Sequence, residues 1–166
     1  MLSSCDGRPE LWVGLEEALM PLIARTLQSD AMDFFEDSVR MVELLAKNVP
    51  TFSTNMWSVL QRLAQALGEF AFDYLENMLP AMCQYMARGS DVICSVGGPV
   101  DYQTMFFNMA THIFGKEDCA FYDTAQATLL ACALIQHSRG KMDQHIPRCV
   151  VCIRYYHIRK VCAIYR

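Results

Sequence analysis

Apolar positions along this chain recur every three or four residues. Met56, Val59, Leu60, Leu63 and Leu67 form one such stripe, and it opens just after Ser53-Thr54-Asn55, where a helix cap is expected. The same period runs through Phe35, Val39, Val42 and Ala46, then Leu75, Met78, Leu79, Met82 and Met86, then Tyr102, Met105, Phe106, Met109 and Ile113. Ala125, Leu129, Cys132 and Ile135 continue it as a further core stripe. Nowhere do four to eight residues alternate cleanly between apolar and polar with β-branched enrichment, so no strand is expected.

The pattern predicts helices over 12–28, 31–47, 54–67, 70–88, 100–114, 118–138 and 143–164. They fall into pairs with short internal connections at Ser29-Asp30, Gly68-Glu69 and Gly115-Lys116-Glu117, where a glycine can end one helix before the next begins. First members start about 42 to 46 residues apart, the repeat length of HEAT or armadillo units. The fold expected is therefore all-α, a HEAT-type α-solenoid segment of about three and a half helix pairs. A disordered or frayed start over 1–11, a repeat segment over 12–147 and a basic terminal helix over 148–166 complete the organisation.

Longer breaks separate the pairs at Asn48-Val49-Pro50-Thr51 and from Arg88-Gly89-Ser90 to Gly97-Gly98-Pro99. Gly97-Gly98 lacks phosphate-loop spacing and follows no strand, so it reads as a connector. Pro21, Pro80 and Pro147 each follow an apolar residue, with an acid four positions earlier, a faint internal echo. Pro21 and Pro80 lie within expected helices and should bend or split them. Trp12 and Trp57, each near the start of a first helix, are expected to wedge between neighbouring units.

With 166 residues, 53% of them hydrophobic and 19% charged, the chain is too apolar for a disordered one. Its first eight residues do not read as a signal peptide, and its most apolar stretch, Cys149 to Tyr165, is interrupted by Arg154, Arg159 and Lys160, which argues against a membrane span. The eight cysteines sit singly in helical patterns, as at Cys83, Cys119 and Cys132, and fit a reduced setting better than a disulfide framework. Charge is uneven: residues 1–147 carry nine bases against all eighteen acids, and the last nineteen residues carry five bases and no acid. An acidic body disfavours direct nucleic-acid binding and suits basic protein partners.

Candidate chemistry is sparse. His145, Cys149, Cys152 and His157 are ligand types that zinc accepts, but His157 falls off the helical face shared by the other three, so two packed cysteines are the simpler reading. A redox role for Cys149 and Cys152 lacks a presenting strand. His112 and His137, isolated near helix ends, fit capping of the carboxyl-terminal dipole. Asp33, Glu36 and Asp37 mark a solvated helix surface rather than an acid/base pair. No enzyme activity and no cofactor are expected.

Three blocks support a comparison: Asn55 to Leu60, Phe72 to Pro80, and Arg139-Gly140-Lys141-Met142-Asp143-Gln144-His145-Ile146-Pro147, with Met32-Asp33-Phe34-Phe35-Glu36-Asp37 ahead of them. Their order and separation over about residues 12–147 resemble the carboxyl-terminal half of importin-β (karyopherin-β) nuclear transport receptors of the importin seven and importin eight subgroup. The resemblance implies a superhelical stack that carries basic protein cargo through nuclear pores, shuttling between nucleus and cytoplasm, with Ran GTPase and nuclear pore proteins as partners of the full-length parent. Asp33, Glu36, Asp37, Asp73 and Glu76 are then the candidate cargo-facing acidic surface. A HEAT scaffold unrelated to transport fits composition and periodicity equally well. The family's amino-terminal Ran-binding repeats have no counterpart here, and a basic, Cys- and Tyr-rich run follows Pro147 in place of an acidic continuation. Both are expected of a fragment, such as a truncated gene model or a terminus read from intron or a shifted frame.

Overall fold

The computed structural model describes residues 8–116, 120–138, 140–141 and 147. Those residues are helices and connections, with no strand among them. They divide into two compact units meeting at Tyr85 and Met86.

The first unit opens with α1, Pro9–Thr26. It starts three residues before the expected 12, because Pro9 occupies the first turn, where a missing N–H costs nothing. Pro21 lies inside α1 and Pro80 inside α4, Leu75–Arg88, and both helices run through them. Each proline is exposed, and its missing N–H leaves the carbonyl four residues back, of Glu17 or Glu76, without its helical donor.

The expected helix 31–47 is two elements. A 3-10 turn, Ser29–Phe34, breaks at Ala31 (φ −127°, ψ 30°) before α2 runs from Phe35 to Asn48. The same division recurs forty residues on, where the 3-10 turn Phe72–Tyr74 precedes α4. Between them α3, Thr54–Glu69, is capped by Ser53, whose hydroxyl accepts from the Met56 N–H at 3.2 Å. Gly68 does not end α3; it lies inside it. The end is made by the Ala66 carbonyl, which accepts from both Phe70 N–H (2.9 Å) and Ala71 N–H (2.7 Å), so the chain turns away without a left-handed residue.

The core of this unit is the predicted stripes. Phe35, Val39, Val42, Leu45 and Ala46 of α2 and Met56, Val59, Leu60, Leu63 and Leu67 of α3 are buried, each larger side chain contributing about 1.5–3 kcal/mol by transfer from water. Contacts across this core carry the repeat. Glu16 of α1 accepts from Ser53 at the start of α3, and eight residues further along α1 the Ala24 carbonyl accepts from Arg62, nine residues further along the α3 side. The first helices of the two pairs therefore run parallel, displaced by 37 to 38 residues. The second helices repeat at nearly the same interval: the Phe35 ring meets Tyr74, thirty-nine residues on, at 5.1 Å.

Trp57 packs 5.5 Å from Phe52 and 5.7 Å from Tyr85 of α4, and Trp12 is buried.

The second unit contains a short helix α5, Ser90–Ile93, absent from the sequence reading, then α6, Tyr102–Gly115, and α7, Phe121–Ser138. Asp101 caps α6, its carboxylate accepting from Thr104 N–H at 2.9 Å and from the Thr104 hydroxyl at 2.7 Å. Gly97 takes a left-handed φ of 84° in the connector, a conformation glycine adopts without steric cost. Helices α6 and α7 pack along each other, and Phe106, Phe107, Ala110 and Ile113 of α6 are buried with Ala127, Leu130, Ala131 and Leu134 of α7.

Here one expectation is overturned. Ala125, Leu129, Cys132 and Ile135, read as a core stripe, face solvent, with Leu129 55% and Ile135 38% exposed. Helix α7 is apolar nearly all round, so its period marks a helix without choosing which side is covered.

The expected helix 143–164, the terminal segment 148–166, Cys119 and the residues His145, Cys149, Cys152 and His157 lie outside the described residues.

Candidate interaction surface

The five acids singled out from the sequence sit at two helix starts. Asp33 belongs to the 3-10 turn before α2, and Glu36 and Asp37 to the first turn of α2. Asp73 belongs to the 3-10 turn before α4, and Glu76 to its first turn. All five are exposed. The contact of Phe35 with Tyr74 sets the two helix starts side by side, so the two groups share one end of the first unit.

The grouping follows a repeat that the sequence reading overlooked. Asp33-Phe34-Phe35-Glu36-Asp37 and Asp73-Tyr74-Leu75-Glu76-Asn77 are forty residues apart, and in each the third residue is buried while the acids face out. An inward anchor fixes the helix start, and the acids beside it complement the partial positive charge of the first turn. Aligning the chain on itself at that interval reveals the match.

The same end carries charges the sequence reading did not name. Arg25 donates to both carboxylate oxygens of Asp30, at 2.8 and 2.9 Å, holding the Asp30 carboxyl below its ordinary range and the Arg25 guanidinium above its own. Glu69 closes α3 there and accepts from Gln65 at 2.9 Å. An open groove of about 280 Å³ lies beside these groups, lined by Leu27, Ala66 and Phe70 as well as Gln28, Arg62 and Glu69. The surface combines exposed carboxylates, the carbonyl ends of α1 and α3, and two arginines that have partners within the fold. Carboxylates and helix-end carbonyls are acceptors that can pair with cationic side chains.

No group of three or more His, Cys, Asp or Glu among the described residues is placed to hold a metal. His112 and His137 stand in the last turns of α6 and α7, where a positive charge favours the helix dipole. Burial pushes the Cys83 thiol up, and burial does the same to Cys94, partly offset by Lys141. No described helix is long and apolar enough to cross a membrane.

An all-helical stack in which both members of a helix pair return after about forty residues is a HEAT-type α-solenoid segment. The relatives it is similar to are named as importins. The chain is 27% identical over 146 residues to an importin beta-like SAD2 homolog of Arabidopsis thaliana, 25% identical over 149 residues to importin-8 of Mus musculus, and 22% identical over 146 residues to a probable importin-7 homolog of Dictyostelium discoideum. These matches cover 88 to 89% of the chain, yet the chain spans only 13 to 14% of the length of the relatives it matches. The resemblance to importin-β receptors read from the quoted blocks is thus borne out by curated relatives along most of the chain. No family model matches the chain, and no solved structure matches it.

Proposed function

We propose that this chain is a segment of a nuclear transport receptor whose acidic repeat ends hold basic protein cargo for import through the nuclear pore. One observation carries the reading: in a chain whose relatives are importins, Asp33 and Glu36 recur as Asp73 and Glu76 at the same place in the next repeat, exposed on neighbouring helix starts. A ladder of carboxylates at repeat spacing fits an extended basic segment better than a compact ligand. The activity is binding without turnover and needs no cofactor. In the full-length parent the segment shuttles between nucleus and cytoplasm, with nuclear pore proteins as further partners and the GTP form of Ran releasing cargo.

The test is a pull-down with the full-length parent, comparing unaltered protein with a variant carrying Asp33→Lys, Glu36→Lys, Asp73→Lys and Glu76→Lys. Basic protein retained by the parent, lost on adding Ran loaded with GTP and reduced in the variant is the expected result. Retention that is indifferent to Ran would replace this reading with a scaffold unrelated to transport.

A further inference from the structure

The second unit holds an open pocket of about 390 Å³ that the proposed function does not use. It lies between the connector after α5 and the first turn of α6, and Val96 and Val100 give it an aliphatic edge. Gln103, in that first turn, lines the pocket although the residue is only 5% exposed. Among the described residues its carboxamide has no hydrogen-bond partner, and no fully buried side-chain nitrogen or oxygen there goes unpartnered. What remains accessible of Gln103 is therefore the carboxamide, and the side it is accessible from is the pocket. An amide so nearly buried without a partner is costly, and a ligand that hydrogen-bonds to it relieves that cost.

The polar groups around Gln103 select the sign of that ligand. The Ser95 hydroxyl donates its proton to the Val92 carbonyl at 2.7 Å, and the Thr104 hydroxyl donates its own to the Asp101 carboxylate at 2.7 Å, so toward the pocket both can only accept. Asp101 is the only charged residue in the described lining. A carboxylate accepts about four hydrogen bonds, of which the Thr104 N–H and hydroxyl supply two. The positive end of the α6 dipole is worth about half an elementary charge, so the full charge of Asp101 leaves the pocket negative. We propose that this pocket takes one cationic side chain, a lysine or arginine of a protein partner. Its charged head meets Asp101, the Gln103 carboxamide oxygen and the two hydroxyl oxygens, and its alkyl stem lies along Val96 and Val100. The inference stands on this pocket alone and holds whether or not the acids of the first unit bind cargo.

The test titrates the whole chain with hexalysine, blocked at both ends, and follows the side-chain amide of Gln103 by nitrogen NMR, with hexaglutamate as the opposite probe. Hexalysine is expected to shift the Gln103 amide saturably, and less at high salt, while hexaglutamate leaves it in place. Asp101→Asn, which keeps a helix cap but removes the charge, is expected to weaken hexalysine binding at this pocket about tenfold. Gln103→Met, a side chain of similar length without the amide, is expected to weaken it as well, read from the main-chain amide of Thr104. Circular dichroism reports whether the helices persist in each variant, and if Gln103→Met does not fold, Asp101→Asn decides. No shift of Gln103 with hexalysine, a shift with hexaglutamate in its place, or equal binding by Asp101→Asn overturns the proposal. Shifts confined to Asp33, Glu36, Asp73 and Glu76 overturn it and leave the reading of the first unit intact. Shifts confined to Gln103 and Thr104 support it and count against that reading.

Discussion

The hydroxyl of Tyr85 in α4, fully buried, donates to the main-chain carbonyl of Met56 in the first turn of α3 at 2.7 Å. Around it the Tyr85 ring lies 4.7 Å from Phe52 and 5.7 Å from Trp57, centroid to centroid. The carboxyl end of α4 is thereby fixed to the start of α3, which makes the pair antiparallel and closes the end of the unit opposite the acidic surface. Tyr85→Phe should cost about 1 kcal/mol, the worth of one net hydrogen bond. Tyr85→Ala, which also empties the space between two aromatic rings, should cost about 3–5 kcal/mol. Urea denaturation of the chain followed by circular dichroism measures both, and equal losses would mean that the ring contacts carry no stability.

Ser53 acts in two directions. Its oxygen accepts from Met56 N–H at the head of α3, and its proton goes to the buried carboxylate of Glu16 on α1. Ser53→Ala therefore removes a cap and leaves a buried acceptor short of a donor, for a combined loss of about 2–3 kcal/mol. Glu16→Gln keeps an acceptor and should cost less. In a double-mutant cycle Ser53→Ala and Glu16→Ala should be strongly non-additive, since each breaks the same link between consecutive first helices. Additive losses would show that Ser53 serves α3 alone.

The Arg25–Asp30 pair gives a pH signature with a definite sign. Because Arg25 holds the Asp30 carboxyl below its ordinary range, the carboxylate's contribution to stability is present above the unfolded value of about 4 and lost as pH falls through the lower folded value. Both partners are exposed, so the effect is small and screened by salt. Arg25→Ala should return the Asp30 titration, followed by carbon NMR of the carboxyl, to the ordinary range. An unchanged titration would show the pair is open in solution.

Thiol reactivity should rank by burial. Burial raises Cys83 and Cys94 above the ordinary thiol range, so their thiolate fraction at neutral pH is reduced, whereas Cys132 stands exposed on α7. Iodoacetamide at pH 7.5 should alkylate Cys132 well before Cys83 or Cys94, with the latter two accelerating as pH rises. Peptide mapping by mass spectrometry gives the order.

How much of this was legible in the sequence depends on what each helix covers. α2 and α3 were readable residue by residue, because each has one apolar face and one polar face and the period names the buried side. α7 was readable as a helix but not in its orientation: alanines and leucines lie on both sides, and only the contact with α6 decides which set is covered. The 3-10 turns before α2 and α4 were hidden for another reason. Asp33-Phe34-Phe35 and Asp73-Tyr74-Leu75 have helical spacing, and the break at Ala31 comes from the chain turning after α1, a tertiary demand without a proline or glycine to announce it. Of the candidate surface, the five acids were found as single charges, while Asp30, Arg25, Arg62 and Glu69 were passed over because their proximity depends on the ends of α1 and α3 meeting.

The acids themselves need a test that separates holding a helix from holding a partner. Glu36, Asp37 and Glu76 lie in first turns, where a carboxylate stabilises the helix by about 0.3–1 kcal/mol, whereas Asp33 and Asp73 lie in the 3-10 turns ahead of them and gain less from that dipole. Glu36→Gln and Glu76→Gln should therefore lower stability slightly and weaken binding of a basic protein by the full-length parent. Asp33→Asn and Asp73→Asn should weaken binding by a similar factor with almost no change in stability. Thermal melts of the chain and salt-dependent pull-downs with the parent give the two readouts separately. If binding tracks stability across all four variants, the carboxylates act only through the helix starts. If Asp33→Asn and Asp73→Asn reduce binding at unchanged stability, and more so at low salt, the carboxylates touch the cargo itself.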